Sequence, residues 1–86
     1  MKKITVYSAG YCPYCTQAKR LLTELKLTFE DISLDGNDEL REKLSAENGG
    51  YRTVPMIFIG DEFIGGFSDL AALHRQGLLT SKVQDA

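Results

Sequence analysis

Cys12-Pro13-Tyr14-Cys15 holds both cysteines of the chain with two residues between them. Two thiols at that spacing can pass an electron pair to a disulfide, one attacking it and the other resolving the mixed disulfide that forms. The apolar run Ile4-Thr5-Val6-Tyr7 lies just upstream, and a helical pattern starts at Pro13. Proline suits a first helical position, because that backbone N–H has no intrahelical partner. Cys12 therefore becomes the N-cap. Its sulfur faces the free N–H groups and the positive dipole end of the helix, which favour the thiolate, the nucleophilic form.

Other uses of the pair are weaker. A structural disulfide here would close a four-residue loop and contribute roughly 2 kcal/mol, against nearly 5 for a loop of about 100 residues. A structural zinc needs four ligands, and the chain offers only Cys12, Cys15 and the single His74. No metal site is expected. His74 falls on the last helix of the main pattern, remote in sequence from the thiols, and reads as a surface or packing residue.

The elements that must position the dithiol are legible in outline. Lys3 to Tyr7 alternates and is rich in β-branched and aromatic residues, which predicts a strand. From Pro13 to about Lys26, the residues Ala18, Leu21, Leu22 and Leu25 form one apolar face. Cys15 precedes Ala18 by three and leans toward that face, whereas Cys12 stays at the exposed tip. Lys19 is placed to reach back toward the thiolate, although a solvated surface lysine is the commoner arrangement. Thr28 to Ser33 reads as a second strand, and Asp35-Gly36-Asn37-Asp38 as the start of a second helix. Leu40 and Leu44 give that helix a narrow stripe, its charged residues read as a solvated face, and Asn48-Gly49-Gly50 ends it. Met56 to Ile59 is a continuous apolar run, as in a strand buried on both faces, and Gly60-Asp61 turns it into Phe63-Ile64. Gly65-Gly66 breaks the hairpin, Ser68-Asp69 opens a last helix with Leu70 and Leu73 inward, and Gly77 closes it. Thr80 to Ala86 reads as a polar, frayed tail.

Length and composition bound the class. At 86 residues, with 43% hydrophobic and 26% charged residues, the chain reads as one soluble globular domain spanning 1–86. Met1-Lys2-Lys3 is basic, but the apolar run after it is too short and too polar for a signal peptide, and no apolar run is long enough to span a bilayer. A reducing cytoplasm is the expected setting, with no membrane partner. The formal net charge of −2 gives no general attraction for nucleic acid, so an anionic ligand must be held by local groups.

The order β-α-β-α-β-β-α puts a parallel pair beside an antiparallel pair in one four-stranded mixed sheet packed by three helices, an α/β class. This is the order of the thioredoxin-like fold. Cys12-Pro13-Tyr14-Cys15, Thr53-Val54-Pro55 and Gly65-Gly66-Phe67-Ser68-Asp69 resemble the three signature segments of dithiol glutaredoxins, in order and over nearly the whole chain, about Lys3 to Gly77. Thioredoxins are less similar, since their usual dithiol is Cys-Gly-Pro-Cys preceded by tryptophan and this chain has no Trp.

The resemblance implies a monomeric glutathione-dependent thiol-disulfide oxidoreductase with catalytic Cys12 and Cys15. Glutathione would be a co-substrate, with no permanently bound cofactor. It implies a cis Val54-Pro55 bond, with the Val54 backbone open to an extended cysteinyl peptide. Tyr14, Thr53, Val54, Pro55, Gly66, Ser68 and Asp69 would bind glutathione. Of these, Ser68 and Asp69 would take the γ-glutamyl end at a helix N-terminus; without a ligand Ser68 reads as a plain N-cap. Lys19 or Arg52 would meet the glycyl carboxylate. The chain departs from the family in carrying Ala9 where many members have Lys, and Met56 after the motif proline where Gln or Arg is frequent. Partners would be disulfide-containing or glutathionylated proteins, with ribonucleotide reductase a candidate. Two alternatives differ in kind: an iron–sulfur carrier using Cys12 and glutathione, disfavoured by Pro13 and Tyr14 where such relatives usually have Gly or Ser, and a donor reduced by thioredoxin reductase, disfavoured by the Gly65 to Asp69 segment.

Overall fold

Apolar alternation and apolar runs assemble into one sheet in a computed structural model that describes residues 2–84. The elements are β1 (Ile4–Ser8), α1 (Pro13–Glu24), β2 (Phe29–Ser33), α2 (Asp38–Glu47), β3 (Met56–Ile59), β4 (Glu62–Gly65), α3 (Phe67–Arg75) and α4 (Leu79–Gln84). Strand order is β2-β1-β3-β4, with β1 and β2 parallel and the other pairs antiparallel. The expected order is present, with one helix more than expected.

Strand periodicity divides the core into two layers. Ile4, Val6, Ile57 and Ile59 point to one face, where Ala18, Leu22 and Leu70 cover them. Tyr7, Met56 and Phe58 point to the other, where they meet Leu40 and Leu44 of α2. The continuous run Met56–Ile59 is apolar because both faces of β3 are covered.

Two of the differences from the sequence reading bear on the core. Helix α1 stops at Glu24 rather than near Lys26, because Lys26 takes a left-handed conformation (φ 59°) and the Leu27 N–H turns back to the Leu22 carbonyl at 3.0 Å. Leu27 is thereby buried beneath the helix end. The larger correction is at the C-terminus. Residues 80–84 of the expected tail, with Leu79 just before it, form α4, and Leu79 and Val83 are buried in the same core layer as Leu22. The Lys2 N–H donates to the Val83 carbonyl at 2.7 Å, and Lys82 pairs with Glu62 of β4 at 2.8 Å. The segment misled as a tail because its apolar residues amount to one i, i+4 pair. Asp85 and Ala86, also assigned to the tail, lie outside the described residues. Val83→Ala is expected to destabilise the protein by about 1–3 kcal/mol, the scale of two buried methyl groups plus the space they leave. Denaturant unfolding measures this, and an unchanged midpoint would return the segment to a tail. No helix among the described residues is long and apolar enough to cross a membrane.

Candidate active site

Helix α1 begins at the dithiol, and its first turn separates the two sulfurs by exposure. Cys12 is the N-cap in extended conformation, and its Sγ accepts the Cys15 backbone N–H at 3.1 Å. Proline occupies the first helical position, as its spacing predicts. The Cys12 thiol is partly exposed and approaches the Val54 carbonyl oxygen at 3.4 Å. Cys15, one turn on, is only 1% exposed. Burial pushes its thiol up to about 12, with the neighbouring Cys12 adding to the rise and the Ala9 backbone and Lys19 charge opposing it. An open sulfur thus stands in front of a buried one that holds its proton.

Opposite Cys12 the chain runs through Thr53 and Val54 into a cis bond at Pro55, which is itself buried. Tyr14, Tyr51, Thr53, Val54, Pro55, Gly66, Phe67 and Ser68 line a groove of about 300 Å³ there. Tyr14 is 61% exposed and stacks on Phe67, with ring centroids 6.5 Å apart. Six of the seven residues assigned to ligand binding therefore converge on one groove: Tyr14, Thr53, Val54, Pro55, Gly66 and Ser68. Tyr51 and Phe67 complete its walls and were missed, since an aromatic residue beside a turn carries no signal of where its ring will lie.

Asp69, the seventh, is exposed and does not line this groove; it lines a separate pocket with Phe63, Ile64 and Leu73. Its Oδ2 accepts the Gly66 N–H at 3.0 Å, closing the turn from β4 into α3. Helix α3 opens at Phe67 with Gly66 as its N-cap, so Ser68 is an exposed first-turn residue and not the cap. The two glycines are required by close approach. A Cβ on Gly65, whose φ is +120°, would collide with the Asp69 carboxylate, and one on Gly66 would lie 2.6 Å from the Tyr51 hydroxyl.

Lys19, one of the two expected charge partners, is engaged by Asp31 at 2.9 Å. Arg52 is exposed, and its carbonyl accepts Arg41 Nη2 at 3.3 Å. The two arginines line a second cavity, about 550 Å³, that shares Tyr51 with the groove and has no cysteine in its lining. Arg41 was read as part of a solvated helix face. It is half-buried because it sits next to Leu40 and precedes Leu44 by three, at the margin of the apolar stripe of α2. Met56 is fully buried in the α2 layer and contributes nothing to the groove. His74 is exposed on α3.

An accessible thiol at a helix cap, a buried second thiol and a cis-proline loop lie together, and the family model described as Glutaredoxin matches residues 4–64. The chain belongs to the glutaredoxin family. It is 44% identical over 79 residues to the glutaredoxin of Pseudomonas aeruginosa, covering 92% of this chain and 93% of that one. It is 40% identical over 77 residues to glutaredoxin 3 of Escherichia coli (strain K12), with coverage of 90% and 92%. Among solved structures, the buckwheat glutaredoxin–glutathione complex matches with a TM-score of 0.90 at 34% identity, over 95% of this chain and 76% of that one. Glutaredoxin C1 of Populus tremula x tremuloides in its holo form matches with a TM-score of 0.89 at 33% identity, over 98% and 78%. The fold is the α/β thioredoxin-like fold of the glutaredoxins, and with it comes the family's thiol-disulfide redox function.

Proposed function

We propose that this glutaredoxin is a glutathione-dependent disulfide oxidoreductase, acting as a monomer in a reducing cytoplasm on protein disulfides and glutathione mixed disulfides. The observation that carries the reading is the pairing of an accessible Cys12 sulfur, 3.4 Å from the Val54 carbonyl, with a buried Cys15 behind it.

In the first step the Cys12 thiolate attacks a substrate sulfur, and the substrate's other sulfur leaves as a thiolate. An extended cysteinyl backbone pairs with Val54 like an added strand, which aligns the substrate sulfur with Cys12. Thr53, Pro55, Tyr14 and Gly66 bound its path. The γ-glutamyl carboxylate meets the N–H groups of the first turn of α3 and the Ser68 hydroxyl, and the free Oδ1 of Asp69 meets the ammonium. With Lys19 held elsewhere, Arg52 takes the glycyl carboxylate, supported by Arg41, which braces the Arg52 backbone. The mixed disulfide is then resolved by Cys15 or by a second glutathione. The presence of glutathione in the buckwheat relative's crystal structure supports this choice of thiol.

A coupled assay with glutathione, glutathione reductase and a small glutathione mixed disulfide tests the reading. Turnover that depends on both the protein and glutathione is expected. Absence of turnover there, with activity appearing when thioredoxin reductase replaces glutathione and its reductase, would overturn it.

A further inference from the structure

Lys19 lies one helical turn beyond Cys15 on α1, where residues four apart are neighbours. Its ammonium is fixed from a distance. Asp31 of β2 accepts it on Oδ2 at 2.9 Å and accepts the Ser8 hydroxyl on Oδ1 at 2.6 Å. Both oxygens of one carboxylate are thus used, one toward α1 and the other toward the end of β1. Ser8 is 5% exposed and precedes Ala9, whose backbone faces Cys15. Burial opposes the ionisation of Asp31, but the Ser8 and Lys19 hydrogen bonds and the Lys19 charge outweigh it and hold the carboxyl below its usual range. An ordinary surface ion pair needs no buried hydroxyl to orient it.

We infer that Lys19 is a positioning residue for the resolving thiol, held by Asp31 and Ser8 on the Cys15 side of α1 so that its charge favours the Cys15 thiolate. The inference rests on the oxidoreductase reading above. In the step concerned, Cys15 gives its proton to solvent and its thiolate bonds to Cys12 Sγ. The bond between Cys12 and the substrate sulfur breaks, and the substrate leaves as a thiolate that takes up a proton. Two electrons pass to the substrate, and Cys12 and Cys15 are oxidised to a disulfide.

The charge matters most at that moment. In the reduced chain burial and Cys12 both resist ionisation of Cys15. Once Cys12 is in a mixed disulfide it carries no charge and its contribution is gone. Burial is then opposed by the Ala9 backbone and Lys19, with Asp31 offsetting part of the lysine charge from behind and Ser8 contributing a neutral dipole.

Rapid mixing of reduced protein with a protein disulfide, quenched in acid and tracked by mass, reads the lifetime of the mixed disulfide. Lys19→Met keeps the stem and removes the charge. It is expected to raise the pH inflection of resolution by about one unit, at the low end of the range for a nearby opposite charge. Resolution below the inflection then slows about threefold, since the thiolate fraction falls tenfold while the remaining thiolate is about threefold more nucleophilic. Lys19→Arg keeps charge and pairing and restores the rate. Lys19→Met combined with Asp31→Asn removes the pair as a unit, so that no carboxylate is left unpaired, and resolves more slowly than the unsubstituted protein but less slowly than Lys19→Met alone, with an intact thermal transition. In Cys15→Ser protein, where glutathione resolves the mixed disulfide, adding Lys19→Met gives no further slowing. An unchanged resolution rate and inflection, or equal slowing in the Cys15→Ser background, would overturn the inference. Failure of the unsubstituted protein to form any mixed disulfide would overturn the oxidoreductase reading itself, and the same traces show which has failed.

Discussion

Cys12→Ser is expected to abolish turnover of both substrate classes, whereas Cys15→Ser keeps the reduction of glutathione mixed disulfides and loses the reduction of protein disulfides. The asymmetry comes from position on one helical turn. Cys12 caps α1 at the surface beside the Val54 carbonyl, while Cys15 is 1% exposed and its thiol is pushed up to about 12, chiefly by burial. At neutral pH Cys15 therefore stays protonated and inaccessible, and only Cys12 can attack first. The task of Cys15 begins when Cys12 is already bonded to the substrate, a task that glutathione can perform on a small mixed disulfide from outside. Limiting iodoacetamide at neutral pH, with peptide mapping of the product, checks the order independently of any substrate. Labelling should fall on Cys12, and preferential labelling of Cys15 would reverse the assignment.

The depth difference between the thiols was legible in the sequence because it depends on one periodicity. Ala18 and Leu22 fix the buried face of α1, and Cys15 falls on it three residues before Ala18. The same holds for β3, where an unbroken apolar run implied cover on both faces. What the sequence hid depends on pairs of elements. Lys19 looked free to approach Cys12 because its counter-charge, Asp31, lies 12 residues on in β2, the strand paired with β1. Arg41 looked like one more charge on a solvated helix, since nothing local announces that its guanidinium will meet the Arg52 carbonyl eleven residues on. Helix α4 was hidden for a further reason. Its stability comes from Leu79 and Val83 entering a core built by other elements, and six residues carry too little periodicity of their own to show it.

The turn from β4 into α3 makes Asp69 the most demanding residue of the proposed glutathione site, because one carboxylate must serve two ends. Its Oδ2 is committed to the Gly66 N–H, which leaves Oδ1 for an incoming ammonium. Asp69→Asn and Asp69→Ala separate the two duties. An asparagine oxygen can still accept from Gly66, so the turn persists while the negative charge is lost. The kcat/KM for a glutathione mixed disulfide is then expected to fall roughly 10- to 100-fold, the scale of a lost hydrogen bond to a charged group at about 1.5–3 kcal/mol. Little change is expected in thermal stability. Alanine removes both contacts, so the same catalytic loss should come with a lower melting temperature, equivalent to about 0.5–2 kcal/mol for a lost helix cap. Cys12 should alkylate at its original rate in both variants, since α1 and not α3 sets its surroundings. A mixed disulfide lacking the γ-glutamyl group supplies the contrast. If Asp69→Asn slowed that substrate as much as the glutathione one, or slowed neither, Asp69 would be a cap of α3 alone, and the γ-glutamyl end would have to bind elsewhere along the groove.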